Sequence, residues 1–320
     1  NSFLNMKNFK NKIQIGIIGP GNHFENKIYP VLKNLKKCKV SGILRKKNIK
    51  FKNIKVFNDE KSFFKQEFDI VYISCPNKFH EKYVIKSLKS NFHVICEKPF
   101  LANQKKLNKI INLSKKKNKL IFEAFMYIFH PAFLYLKKLI DNNKFGTLKY
   151  VISSFKFPTL KGSNNRYVKN LGGGFFLDSA SYLLSLENYL YPTKFGFNRK
   201  ILGQKIRENV DLRGNLFIKS NKFNRYYFWG EGQEYQNKLE VFFQKGYFIS
   251  DFFFSKPKNK NLTYVFSKGS KKKISFKNNN HFKNMFKNIF KNFRVKEFQK
   301  KNRELIKKQA ILMSKCYKLL

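Results

Sequence analysis

Apolar residues in this chain fall first into short continuous runs and later into alternating ones. Ile13–Ile18 (IQIGII), residues 68–74 (FDIVYIS) and residues 92–96 are short, largely apolar runs with β-branched side chains. That is the pattern of strands buried on both faces of a parallel sheet. Segments of helical spacing lie between them: Ile28, Val31, Leu32 and Leu35 after the first run, and His80–Lys89 before the third. Residues 39–44 and 120–122 read as further strands of the same sheet. From residue 149 the pattern changes to strands in close order, over 149–157, 212–219, 223–229, 235–243 and 246–254, with Gln244-Lys245-Gly246 as a hairpin turn. Apolar positions at helical spacing over 281–320 predict one long closing helix that packs back on the body.

The first strand runs into Gly19-Pro20-Gly21-Asn22-His23-Phe24 and then into a helix. Strand, glycine turn and helix together form the context of a dinucleotide site, because free backbone N–H groups at the helix start can hold a pyrophosphate. Gly19, Gly21, Asn22 and His23 are the candidate contacts. The third glycine position of the fingerprint is occupied by Phe24, and a Gly-x-Gly turn by itself is equally an ordinary tight turn. The second strand ends at Arg45-Lys46-Lys47 with no acid close behind. An acid there would hold a ribose 2′-hydroxyl, whereas arginine suits a 2′-phosphate. Arg45, supported by Lys46, points to NADP(H) over NAD(H); arginine is scarce in this chain, so its placement is more telling than that of the lysines.

Two further segments carry candidate chemistry. Glu97-Lys98-Pro99 stands at the carboxyl end of the strand over 92–96, where open α/β sheets bind ligands. Gly172-Gly173-Gly174 allows backbone to approach a ligand closely and leads into a helix over 175–190. Asp178 and Tyr182 lie one helical turn apart on it and can face one cleft. A phenol beside a lysine can donate a proton to a ketone oxygen as hydride reaches the carbon; the alternative is a core tyrosine with its hydroxyl satisfied.

In order along the chain, IGIIGPGNH, DIVYISCPNKFHEKYVIKSLKSNFHVICEKP, EAFMYIFHP and GGGFFLDSASY resemble the glucose–fructose oxidoreductase and inositol dehydrogenase (Gfo/Idh/MocA) family of nicotinamide-dependent sugar and polyol oxidoreductases. The resemblance implies an α/β protein: an N-terminal Rossmann domain, then an α/β domain built on an open, largely antiparallel sheet, divided at 1–123 and 124–320. It places Lys98 near the nicotinamide and the substrate oxygen, with Glu97 and Pro99 shaping the loop and touching the cofactor. Pro76, Asn77 and His80 would line the nicotinamide side, His80 being otherwise a plain helix-start residue. Tyr182 matches ketoreductases acting on nucleotide-linked deoxysugars, and Asp178 would orient the substrate or polarise its partner. Tyr127 and His130 would border the substrate or glue the domains together. Arg166 and Tyr167, in the loop before the glycines, would select the substrate or form a surface loop. Phe24, Ile128 (where relatives often have arginine) and Ala180-Ser181 depart from the family pattern. A homodimer or homotetramer through the sheet face is implied, with Phe252, Phe253 and Phe254 needing cover if exposed.

Composition changes this picture little. Lys and Arg number 67 against 19 Asp and Glu, a net charge of +48, which by itself suggests a polyanion partner. The lysines are spread over every segment, and Lys, Asn, Phe, Ile and Tyr share A- and T-rich codons, so drift in base composition explains the charge without a specific nucleic-acid partner. Cys38, Cys75, Cys96 and Cys316 are too dispersed for a metal site, so no metal is expected, and they fit a reducing cytoplasm. No long apolar span or signal-peptide core is evident, hence no membrane, and Met6 is a candidate start. The expected activity is NADP(H)-dependent reduction of a keto group on a nucleotide-linked sugar. The alternatives are a sugar 1-dehydrogenase, a polyol or diol dehydrogenase, or a cofactor-binding sensor without catalysis.

Overall fold

The computed structural model describes residues 12–45, 53–100, 104–160, 164–191, 198–207, 210–255, 262–276 and 280–318. Lys46, expected to support Arg45, lies outside these described residues.

The apolar runs pair as a six-stranded sheet of β1 (Ile13–Ile18), β2 (Cys38–Leu44), β3 (Lys55–Phe57), β4 (Ile70–Ile73), β5 (His93–Cys96) and β6 (Ile121–Glu123). Its order is β3-β2-β1-β4-β5-β6 and every pair is parallel. All residues of β4 and β5 are buried, as expected of central strands covered on both faces. The helices between them are α1 (Tyr29–Lys33), α2 (Glu60–Phe64), α3 (His80–Lys89) and α4 (Gln104–Lys117). After β6, a 3-10 turn (Met126–Phe129) and α5 (Pro131–Asp141) lead to the second sheet.

That sheet has eight strands: β7 (Leu148–Phe157), β8 (Asn198–Arg207), β9 (Val210–Lys219), β10 (Asn224–Glu231), β11 (Gln236–Phe243), β12 (Gly246–Asp251), β13 (Thr263–Ser267) and β14 (Ser270–Lys273). The order is β14-β13-β12-β11-β7-β10-β9-β8, antiparallel except where β10 runs beside β7. Burial alternates along β9 and β11, so one face packs inward. The inner face is covered by α6 (Ser181–Tyr189) and the π-helical turn before it (Phe176–Ala180). On the outer face Tyr150 stacks on Phe242 at 4.3 Å and Tyr247 on Phe266 at 4.1 Å.

Two expectations change. The strand over 246–254 stops at Asp251, because Phe252 takes a positive φ and turns the chain. Phe253 and Phe254 then swing into the core, 2% and 0% exposed, against Tyr127. These two need no subunit to cover them. The closing helix is two helices, α7 (His281–Asn292) and α8 (Lys296–Tyr317). Phe293 breaks it by packing edge-on to His93 at 4.8 Å, and Gln299 Nε2 donates to the Phe293 carbonyl at 2.9 Å. The bend lets α8 pack along β6, α4 and α6, where Gln309 Nε2 donates to the Ser181 carbonyl at 3.1 Å.

Candidate active site

The first sheet reverses its winding between β1 and β4, and the loops after β1, β4 and β5 open there at the carboxyl edge, the place where such sheets bind ligands. Gly19 follows β1 with φ of +63°, and a side chain on it would collide with the backbone and Cβ of Cys75 after β4. Only glycine fits both constraints. At Gly21, by contrast, an added Cβ would meet nothing within 4 Å. The turn therefore presents open space in front of the backbone N–H groups at the helix start, and Asn22 and His23 form the first residues of that helix. Phe24 does not fill this cradle. It points inward, fully buried, against Tyr72 and Tyr29, and the helix widens into a π turn over Phe24–Ile28. At the end of β2, Arg45 Nη1 donates to Glu25 Oε1 at 2.6 Å, so its guanidinium is tied to the same helix.

The loop after β4 carries Pro76, whose carbonyl accepts from Phe79 N at 2.9 Å and closes a 3-10 turn. Asn77 Nδ2 crosses to the Gly172 carbonyl at 2.9 Å and joins the turn to the glycine segment. His80 is fully buried, its ring nitrogens 3.0 Å from the carbonyls of Pro99 and Cys75. It holds the loops after β4 and β5 together from below and does not face a cleft. Burial lowers its pKa despite those carbonyls, and a neutral ring donates to one of them at a time.

Glu97, Lys98 and Pro99 follow β5, with a cis peptide bond at Lys98–Pro99. Glu97 Oε1 accepts from the Tyr72 hydroxyl and lies 3.5 Å from His23 Nε2. Burial works to raise the pKa of Glu97, but His23, Tyr72 and Lys98 outweigh it and keep the carboxylate ionised. Lys98 Nζ donates to Asp178 Oδ1 at 2.6 Å and to the Asp178 carbonyl at 2.8 Å. It also sits 4.7 Å from the centroid of the Tyr182 ring, a cation–π distance. Asp178 Oδ2 accepts from Arg166 Nε at 2.5 Å. Burial would raise the pKa of Asp178, yet Lys98 and Arg166 hold it well below the carboxylate range. Burial, followed by the charges of Glu97 and Asp178, raises the Tyr182 pKa well above that of a free phenol, so it keeps its proton. Its hydroxyl donates to Met126 Sδ at 3.4 Å.

Lys98, Asp178, Tyr182 and Arg166 thus converge from three segments distant in sequence. Tyr127 and His130 do not join them. Tyr127 lies behind Tyr182, its hydroxyl 2.6 Å from Ser185 Oγ. His130 caps α5 by accepting from Ala132 N at 3.0 Å and packs on Phe276 and His281. Tyr167 leans on the second sheet through Glu231 Oε2 at 3.3 Å. Sequence reasoning missed Tyr72 and Asp211. Tyr72, a phenol inside an otherwise apolar strand, was a visible signal. Asp211 gave none: it accepts from Phe176 N at 2.6 Å and Trp229 Nε1 at 3.0 Å, bracing the start of the Asp178 helix. Among the described residues no group of three or more His, Cys, Asp or Glu is placed to hold a metal.

Comparison with known families places this geometry. Residues 13–125 match the oxidoreductase family with NAD-binding Rossmann fold, and residues 133–199 match the Gfo/Idh/MocA C-terminal domain, together more than half of the chain. The chain belongs to the Gfo/Idh/MocA oxidoreductase family. A dTDP-3,4-didehydro-2,6-dideoxy-α-D-glucose 3-reductase from Saccharopolyspora spinosa is 22% identical over 257 residues, 77% of this chain and 76% of that one. An enzyme of the same name from Streptomyces violaceoruber is 25% identical over 154 residues, 48% of this chain and 45% of that one. The chain thus spans less than half the length of the second relative. The structure of the 3-ketoreductase KijD10 from Actinomadura kijaniata, a tyrosine-to-phenylalanine mutant in complex with TDP-benzene and NADP, superposes with a TM-score of 0.85. It is 17% identical, with 96% of this chain and 98% of that one covered, and establishes the shared fold. In this Gfo/Idh/MocA member the open cradle at Gly21, at the start of a helix, suits the pyrophosphate of a nicotinamide dinucleotide.

Proposed function

We propose that this protein is an NADP(H)-dependent reductase of a keto group on a nucleotide-linked sugar. The observation that carries the reading is the meeting of Lys98, Asp178 and Tyr182 at the strand mouth beside the glycine turn. The nicotinamide cofactor supplies the hydride when bound. Gly19 and Gly21, with Asn22 and His23, would hold its pyrophosphate, and Arg45 its 2′-phosphate. Pro76, Asn77, Glu97 and Pro99 form the loops around the nicotinamide side.

The chain's own part is to manage the oxygen and its proton. Hydride adds to the carbonyl carbon, the C=O π pair moves to oxygen, and the alkoxide takes a proton from Tyr182 Oη to leave an alcohol. Burial keeps that phenol protonated until a base as strong as an alkoxide arrives. The Lys98 ammonium stabilises both the developing alkoxide and the phenolate left behind. Asp178, held ionised by Lys98 and Arg166, fixes the ammonium in place. Solvent then returns the proton to Tyr182. Arg166, which holds Asp178, and Tyr167 beside it would serve as substrate-side residues.

The partly exposed aromatic face of the second sheet, with Tyr150 at 39% exposure, supports association with a second copy, as a homodimer or homotetramer. Four buried cysteines, with no disulfide between them, suit a reducing cytoplasm.

Titration with NADPH and NADH, followed by nicotinamide fluorescence at moderate salt, tests the cofactor half. NADPH binding in the micromolar range, at least tenfold tighter than NADH, is expected. Arg45→Asp should weaken NADPH about a hundredfold and NADH hardly at all. Equal loss for both cofactors would remove the argument from Arg45. A screen of dTDP-linked keto sugars against free polyols then decides the substrate: turnover of polyols alone would convert the reading to a dehydrogenase.

A further inference from the structure

Glu123 closes β6 and pairs in register with Cys96, the last residue of β5, at the root of the Lys98 loop. Its side chain is buried, at 3% exposure. Oε1 accepts from Phe100 N at 2.8 Å, while Oε2 is buried with no hydrogen-bond partner. A half-satisfied carboxylate in an apolar interior is costly unless a charge offsets it. The titratable groups that act on it come from four places. They are the Lys98 ammonium after β5, the Cys96 thiol on β5, the Tyr127 phenol of the 3-10 turn and the Tyr189 phenol on α6. Burial pushes the last three far upwards, so they stay neutral, and Lys98 is the single charge among the four.

We propose that Glu123 is a positioning residue for Lys98. In its ionised form it grips the 98–100 loop through the Phe100 N–H and attracts the Lys98 ammonium. The proposal rests on the reading of Lys98 as the group that serves the substrate oxygen.

Protonation weakens both effects. The bond to Phe100 N loses its charge assistance, and the pull on Lys98 falls to Asp178 and Glu97. The protonated acid can also turn its O–H towards a new acceptor and release the loop. Burial, only partly opposed by the Phe100 N–H and Lys98, pushes the Glu123 pKa up to about 7, so the grip changes near neutrality.

The sign for stability follows from linkage. A carboxyl whose pKa is raised on folding binds its proton more tightly in the native state. Its favourable contribution is complete below the ordinary carboxyl value of 4.5 and is lost as pH rises to about 7.

Two measurements on the full chain test this, using Glu123→Gln, which keeps an acceptor for Phe100 N and has no charge, and Glu123→Ala, which keeps neither. The first is the denaturant midpoint from about pH 5 to 8.5. The wild-type midpoint should fall relative to Glu123→Gln up to about pH 7 and run parallel above it. Curves parallel throughout would overturn the proposal, because Glu123 would then not titrate in this range.

The second is NADPH-dependent reduction of a dTDP-linked keto sugar. Wild-type kcat should rise several-fold through neutrality, a step absent from Glu123→Gln. Glu123→Ala should lower kcat about tenfold or more at every pH, with NADPH affinity within about threefold of wild type. The same step in Glu123→Gln would also overturn the proposal. Should no keto sugar be reduced at any pH, the kinetic role of Glu123 falls with the reading of the site, while the midpoints still show whether it titrates.

Discussion

Lys98 is the most constrained side chain of the site. Its ammonium is shared between an aspartate side chain, a backbone carbonyl and an aromatic face, and is 11% exposed. Such a cation is positioned before any substrate arrives, which is the condition for electrostatic stabilisation of a developing oxyanion. Lys98→Met and Tyr182→Phe should each reduce kcat by about a hundredfold or more, leaving NADPH affinity within about threefold. Retained turnover at saturating substrate would show that neither group serves the oxygen. Asp178→Asn tests a different point: it keeps the shape, removes the charge between Lys98 and Arg166, and should free both cations. The resulting variant should bind NADPH normally while losing most of its turnover.

At the scale of elements, each contributor is braced by a neighbour the alternating pattern does not reveal. Asp211 on β9 holds the start of the π turn that carries Asp178. His80 ties the loops after β4 and β5. Farther from the site, Arg225 on β10 and Glu187 on α6 form a fully buried pair, with Arg225 Nη2 3.0 Å from Glu187 Oε2. Tyr227 Oη donates to the same carboxylate at 2.5 Å, and Arg225 Nη1 donates to Ser220 Oγ at 2.9 Å and to the Phe223 carbonyl at 2.8 Å. Removing one partner leaves a charge stranded in the core. Glu187→Ala should cost about 3–5 kcal/mol in chemical denaturation. A loss under about 1 kcal/mol would mean that water reaches the pair. Because this network fastens α6 to the second sheet, Tyr182 should also lose its place.

At the scale of the whole molecule, and among the described residues, the second sheet has one face covered by helices and one that stays partly exposed. The open face carries stacked tyrosines and phenylalanines across β7, β11, β12 and β13. Sedimentation at micromolar concentration should report a dimer or tetramer. Tyr247→Glu with Phe266→Glu should shift it towards monomer without unfolding the chain. A wild-type monomer at that concentration would sink the proposed interface. The charge of +48 acts at this scale as well. Lysines dispersed over all segments should give weak polyanion binding, lost steeply with salt and indifferent to sequence. Among the described residues no helix is long and apolar enough to cross a membrane.

The sequence by itself determined five of the six parallel strands, all but β3, together with the glycine turn and the loop at 97–99, because these depend on local rules. A strand buried on both faces must be largely apolar, as β4 and β5 are apart from Tyr72 and His93. A turn passing against Cys75 must be glycine, as Gly19 is. The placement of Lys98 at a strand mouth was legible for the same reason. Tertiary structure alone decided which polar groups meet. Lys98 and Asp178 are 80 residues apart and Arg225 and Glu187 are 38 apart, and no periodicity links such pairs. The break at Phe293 and the inward turn of Phe253 and Phe254 likewise depend on a core to receive them. Glu123 shows the divide most clearly. Its letter was plain in EAFMY, but its burial beside Cys96, and hence its raised pKa, exists only once β5 and β6 lie side by side. Local steric rules are written residue by residue, whereas desolvation and charge pairing belong to the assembled interior.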